Sequence, residues 1–211
     1  MEITFLGMNC VRLTSKDLAI LCDPYSKSAG LGNIKLTNDA TLLSVLGSPV
    51  SDKSGMVIDS PGEYEIKGAM ITGVPARLHI DTPEDGAKAT AYSILIDGVH
   101  VIYLGNVASP LTNEQVEALG QADVLILPVG GHGLTLDAPA AAEIIGQLEP
   151  KYVVPTHYDD GAAKYEVPQD KLDVFLKEVG ATASEPQPKL RVTTRDLPLE
   201  STIVTLSRQG S

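Results

Sequence analysis

The chain has 211 residues, 43% of them hydrophobic, with 16 basic against 27 acidic residues and a formal net charge of -11. That apolar content supports one sizeable core, so one domain spanning residues 1–211 is expected. An acidic chain with no Lys/Arg cluster repels phosphate backbones and anionic membranes, which argues against nucleic acid or a membrane surface as partner.

The start, Met1-Glu2-Ile3-Thr4-Phe5, has no basic segment followed by a long apolar one, and no apolar run approaches the ~20 residues of a membrane span. No signal peptide is expected, and the protein is read as cytoplasmic. Ile3–Leu6, Val11–Leu13 and Leu18–Leu21 are short strands broken by turn residues. A hairpin turning at Ser15-Lys16-Asp17 would bring Cys10 and Cys22 opposite each other. A disulfide is not implied in a reducing compartment, and two small buried apolar residues is the better reading. Thr41-Leu42-Leu43 and Met56-Val57-Ile58 are further short strands. Gly62 to Val74 reads as two strands turning at Lys67-Gly68, with Glu63 and Glu65 facing solvent.

The segment from Asp81 to Lys88 is charged, contains Pro83 and Gly86, and reads as a surface loop. Ser93–Ile96 and Val99–Leu104 flank Asp97-Gly98, a favoured two-residue hairpin turn, with His100 exposed. The second half alternates helix and strand. Thr112 and Gln115 form a capping box for a helix that Gly120 closes. Val124–Leu127 reads as a strand buried on both faces. Asp137 caps a helix running to about Leu148, with Pro139 in its first turn. Tyr152–Pro155 is the next buried strand, Gln169–Val179 an amphipathic helix, and Thr202–Leu206 a last strand. Glu185-Pro186-Gln187-Pro188 is a stiff connector.

Three strand ends carry chemistry-bearing residues: Asn106 after 99–104, Gly130-Gly131-His132 after 124–127, and His157 after 152–155. Loops after strand ends are where sites are built. The stretches "ITFLG", "LCDP", "SPGEYEIKGAMITGVPA", "YLGN", "LPVGGHGLTLDAPAAAEII" and "EPKYVVPTHY" resemble the metallo-β-lactamase superfamily, in the branch of small hydrolases that includes ascorbate-6-phosphate-lactonase-like proteins. The resemblance runs from about Glu2 to Leu206. It implies an αββα sandwich, two mixed β-sheets flanked by helices, with the site at one edge of the sheets. Asp23-Pro24 matches a family position near that site.

The same resemblance implies a Thr/Ser-His-x-His-x-Asp-His metal signature after Thr41-Leu42-Leu43. Val45, Gly47, Pro49 and Val50 stand at its four ligand positions, and Asn106 stands at the bridging aspartate. His157 remains at the last ligand position, His79 matches a middle histidine, and His132 lies in a glycine-rich segment near the site. Two cations held close together need carboxylates to offset their charge, and Pro49 and Asn106 are neutral. Three functional readings follow. The first is a pseudoenzyme or binding module with a degenerate zinc site and no cofactor, its apolar Val45, Leu46 and Val50 filling the metal cavity or contacting a partner. The second is a hydrolase of a small ester, lactone or phosphoester, with one zinc on His157, His79 and His132. The third is a metal-free small-anion binder using Gly130, Gly131, His132 and His157. A partner, whether small molecule, protein or second copy, is not identified by these residues, nor is the order of the 44–55 loop.

Overall fold

The computed structural model describes all residues except Leu36, 49–54, 80–85, Ala87, Ala183 and Ser211. The six-stranded sheet runs in the order β12-β1-β2-β3-β4-β5. Its strands are β1 (Glu2–Gly7), β2 (Cys10–Thr14), β3 (Ala19–Cys22), β4 (Ala40–Leu42), β5 (Met56–Ile58) and β12 (Leu190–Arg191). The seven-stranded sheet runs β13-β11-β10-β9-β8-β7-β6. It is built from β6 (Gly62–Ile66), β7 (Ala69–Ala76), β8 (Ala89–Ile96), β9 (Val99–Tyr103), β10 (Val124–Pro128), β11 (Tyr152–Thr156) and β13 (Thr202–Ile203). Both sheets mix parallel and antiparallel pairs: β3-β4-β5 and β9-β10-β11-β13 are parallel. One core joins the two, from Ile3, Phe5, Val11 and Ile20 on one side to Ile71, Ile94, Val101 and Ile126 on the other. This is the expected sandwich of two mixed sheets flanked by helices.

The helices follow their sequence signals. Around α1 (Asn113–Leu119), Gln115 N–H donates to Thr112 Oγ1 at 3.2 Å and Thr112 N–H to Gln115 Oε1 at 2.9 Å. Asp137 Oδ1 accepts from Ala140 N–H at 2.9 Å to start α2 (Ala138–Leu148). The turn Asp97-Gly98 has φ of 54° and 76°, the left-handed pair that a two-residue hairpin loop demands. Both helix α1, against β7 and β8, and helix α2, against β10, lie on the seven-stranded sheet. On the far face of the other sheet, Leu6, Cys10 and Leu21 are covered by Tyr25 and Ile34 and carry no α-helix among the described residues.

Four local expectations need correction. Helix α3 is Leu172–Glu178, not Gln169–Val179, because the Gln169 side chain folds back to donate to the Val167 and Pro168 carbonyls, each at 3.0 Å. Strand β13 stops at Ile203, since Gln187 N–H takes the Thr205 carbonyl and Leu206 bridges to Gln187. Val11, not Cys10, lies opposite Cys22. The two cysteines therefore sit on opposite faces of their sheet, both buried and free. His100 is half-buried, its Nε2 within hydrogen-bond distance of Ser93 Oγ at 2.5 Å. Most of the segment expected as a surface loop at 81–88 lies outside the described residues, as does the 49–54 part of the 44–55 loop. Among the described residues no helix is long and apolar enough to cross a membrane.

Candidate functional site

Five segments meet at one edge of the sandwich: the β1–β2 turn, the end of β3, the stretch after β4, the turn after β9 and the end of β11. They border an open cavity of about 140 Å³ lined by Met8, Asn9, Asp23, Pro24, Tyr25, Leu43, Ser48, Asn106 and His157. Met8, Asp23, Gly105 and His157 all have left-handed backbone, with φ of 54°, 38°, 54° and 48°. That conformation costs a non-glycine residue roughly 1–2 kcal/mol, so three strained residues in one rim must be held by their surroundings. One such hold is direct: His157 N–H donates to the Met8 carbonyl at 2.8 Å, tying the two sheets together.

Asp23 is the buried carboxylate of the cavity. Its Oδ1 accepts from Ser44 N–H at 2.7 Å. Its Oδ2 accepts from the Ser44 hydroxyl at 2.5 Å and the Tyr103 hydroxyl at 2.6 Å. Burial pushes its pKa up, while the donors from Ser44 and Tyr103 pull it down. The Tyr103 hydroxyl also lies 3.0 Å from the Asn9 carbonyl, so one proton serves two acceptors. The Asn9 side chain completes the stitch. Its Nδ2 donates to Asn106 Oδ1 at 2.9 Å, and its Oδ1 accepts from the Thr156 hydroxyl at 3.2 Å. Asn9→Ala is expected to cost about 1–3 kcal/mol in urea unfolding, since it leaves Thr156 and Asn106 without partners. An unchanged midpoint would show that the amide is not part of the support.

His157 is held in one tautomer. Gln169 Nε2 points at two carbonyls, so its Oε1 faces His157 Nδ1 at 3.1 Å and Thr135 Oγ1 at 3.3 Å. A carbonyl oxygen demands a proton from Nδ1, which leaves Nε2 unprotonated. Burial lowers the His157 pKa to about 4, so the ring is neutral near pH 7. Nε2 has no hydrogen-bond partner among the described residues. The Tyr165 ring covers the imidazole at a centroid distance of 5.0 Å. Gly130 makes room for this arrangement: a Cβ there would meet the His157 carbonyl at 2.2 Å and Gln169 Oε1 at 2.3 Å.

Of the residues expected at or near the site, Asp23, Pro24, Asn106 and His157 line the cavity among the described residues. His132 is exposed and its Nε2 meets Asp170 Oδ1 at 3.1 Å. His79 follows the antiparallel bridge between Leu78 and Val107, whose register sets it opposite Asn106, and its buried Nδ1 has no partner among the described residues. No group of three His, Cys, Asp or Glu side chains able to hold a metal forms among the described residues, so His157, His79 and His132 do not converge. Of the expected anion contacts, one amide is already engaged. Gly131 N–H is taken by the Leu136 carbonyl at 3.0 Å and Thr135 Oγ1 at 3.1 Å, beside Asp137 and Asp170. Val45 bridges to Ala89 instead of filling the cavity, Leu46 is exposed, and Gly47 has open space around it. Pro49 and Val50 lie outside the described residues. Asn9, Asp23 with Ser44, Tyr103 and Gln169 complete the site. Of these, only Asp23 had a sequence signal, its place after β3.

A dinuclear zinc centre does not fit these side chains. Such a pair needs several imidazoles and charge-compensating carboxylates. The cavity offers one imidazole, an asparagine whose oxygen is engaged by Asn9, and a carboxylate with both oxygens engaged.

The model of the β-lactamase superfamily domain matches residues 2–157. A candidate Zn-dependent hydrolase of the metallo-β-lactamase superfamily from Thermotoga maritima is 28% identical, covers 97% of each chain and superposes with a TM-score of 0.78. A metal-dependent hydrolase from Thermococcus onnurineus is 34% identical over 100 residues, 46% of this chain and 44% of its own length, so the match spans under half of that relative. Another from Natranaerobius thermophilus is 26% identical over 187 residues, 75% of this chain and 84% of that one. With a domain match over most of its length and a sandwich built as those relatives are, this chain belongs to the metallo-β-lactamase superfamily.

Proposed function

We propose that this protein is a pseudoenzyme of its superfamily, a binding module whose rim cavity has exchanged metal ligation for an internal hydrogen-bond network. The observation that carries this reading is the engagement of its oxygens. Asp23 accepts three hydrogen bonds and Asn106 Oδ1 accepts one from Asn9, so binding a cation at either oxygen would compete with the donors that hold the rim together. A cytoplasmic location belongs to this reading, and the two free buried cysteines fit a reducing compartment. Protein purified without chelator is expected to hold no stoichiometric metal by elemental analysis. Tightly held zinc, manganese or iron at one or two equivalents would overturn the proposal.

A second reading is a metal-dependent hydrolase with one zinc. The names of the relatives, the bare Nε2 of His157 and the orphaned Nδ1 of His79 favour it. Variants separate the two. Val45→His with Gly47→His is expected to give weak metal uptake. Adding Pro49→Asp, Val50→His and Asn106→Asp is expected to improve it sharply, because these supply carboxylates beyond Asp23, whose oxygens already accept from Ser44 and Tyr103. Equal uptake by both variants would show that charge compensation is not the limiting factor.

A further inference from the structure

Two polar side-chain atoms of the cavity wall, on Asn106 and His157, have no protein partner among the described residues, and they are of opposite kind. Asn106 Nδ2 is a donor, because its oxygen already accepts from Asn9. His157 Nε2 is an acceptor, because Gln169 Oε1 holds the ring proton at Nδ1. Both residues line the same cavity. Neither atom belongs to the buried side-chain nitrogens that have no partner, so both remain open to the cavity.

Charge narrows the ligand further. Among the described residues no lysine or arginine lines the cavity to give an anion a counter-charge. Arg208, whose charge reaches Tyr25, is paired with Asp160 at 2.9 Å. A cation would find Asp23 with both oxygens already accepting from Ser44 and Tyr103. The volume of about 140 Å³ is close to the roughly 150 Å³ of an engineered apolar cavity that takes up benzene, so about six heavy atoms fit. Met8, Pro24 and Leu43 supply apolar wall for a short hydrocarbon.

We propose that the cavity binds a small uncharged molecule carrying a carboxamide-type pair, its N–H donated to His157 Nε2 and its carbonyl accepting from Asn106 Nδ2. This names the ligand class of the binding module proposed above and rests on that reading. Water alone can satisfy both atoms, but it leaves the apolar wall unmatched. An amide with a short alkyl chain matches both parts at once.

Three probes of nearly equal size test it: butyramide, 2-pentanone, in which a methyl group replaces the amide nitrogen, and butyrate. The signal is the Nε2 resonance of His157 in long-range ¹H–¹⁵N spectra of the intact chain. Butyramide is expected to shift that resonance saturably. The ketone, lacking the donor, should bind at least about tenfold more weakly, because it leaves a desolvated acceptor unpaired. Butyrate should not bind measurably. In Asn106→Leu the amide affinity should fall about tenfold while the Nδ1-protonated signature of His157 stays. Butyrate binding as well as butyramide, or a resonance indifferent to all three probes, would overturn the assignment. The elemental analysis above separates the layers. Bound metal would sink the binding-module reading itself, whereas a metal-free protein that ignores butyramide would sink only the ligand class.

Discussion

Gly105→Ala is expected to destabilise the protein by about 3–5 kcal/mol, among the largest losses from any single methyl addition in this chain. The glycine ends β9 with a φ of 54°. A Cβ there would stand 2.1 Å from both Ser44 Cβ and Ser44 Oγ, and 2.8 Å from Asp23 Oδ2. Ser44 is fully buried and cannot swing away to water. Its hydroxyl donates to Asp23 and accepts from Asn106 N–H at 3.2 Å, so displacing it loosens both contacts and leaves a buried carboxylate short of donors. Gly133→Ala is the control. Its φ is 76° but a Cβ there would meet nothing within 4 Å, so only backbone strain of about 1–2 kcal/mol is expected. Urea midpoints at constant m-value measure both. Similar losses in the two variants would mean that Ser44 yields freely and does not hold the cavity wall.

Acidification is expected to cost the wild-type protein about 3 kcal/mol more than a His157→Gln variant between neutral pH and pH 4. Burial depresses the folded-state pKa of His157 to about 4, against 6.5 for the free side chain. Below that free value the unfolded chain takes up a proton that the folded chain refuses. The contribution is therefore fully present above about 6.5, falls with pH, and is exhausted near the folded value. Asp23, in the same cavity, has the opposite sign. Its pKa is raised by burial, so its protonation favours the folded state as pH falls. Asp160 has a lowered pKa and loses its contribution only in the acid range; the hydrogen bonds from Ala163, Ala162 and Arg208 outweigh burial there. Gln169 and Tyr165, the other groups against the ring, do not titrate in this window. Subtracting the variant isolates His157, because Asp23 and Asp160 remain in both proteins. Parallel stability–pH curves for the two proteins would contradict the buried neutral ring.

Much of the scaffold was legible because its signals act between residues close in the chain. Asp97-Gly98 dictates a turn by backbone sterics alone, and Thr112 with Gln115 satisfies helix-end amides within four residues. The unbroken apolar runs of β10 and β11 announce strands covered on both faces. The place of His157 at a strand end was legible for the same reason. Where a tertiary partner intervened, the local reading slipped. Gln169 looked like the first residue of a helix, yet its amide holds His157 and two carbonyls instead. The cysteines looked opposed, but the β2–β3 hairpin, closed by Ser15 N–H on the Leu18 carbonyl, puts Val11 against Cys22.

The residues alone determined the order of strands and helices, the superfamily resemblance, and the side-chain chemistry at Val45, Gly47 and Asn106. Those properties depend on periodicity, capping and side-chain chemistry, which the linear order carries. Only the tertiary structure decided which polar atoms face the cavity and which are already engaged. Asn9 gave no signal of its own, because its partners Asn106 and Thr156 lie 97 and 147 positions away. The vacant Nε2 of His157 likewise follows from an amide twelve residues on, oriented by two carbonyls. Hydrogen-bond saturation is a property of three-dimensional neighbours, which the linear order of residues does not carry.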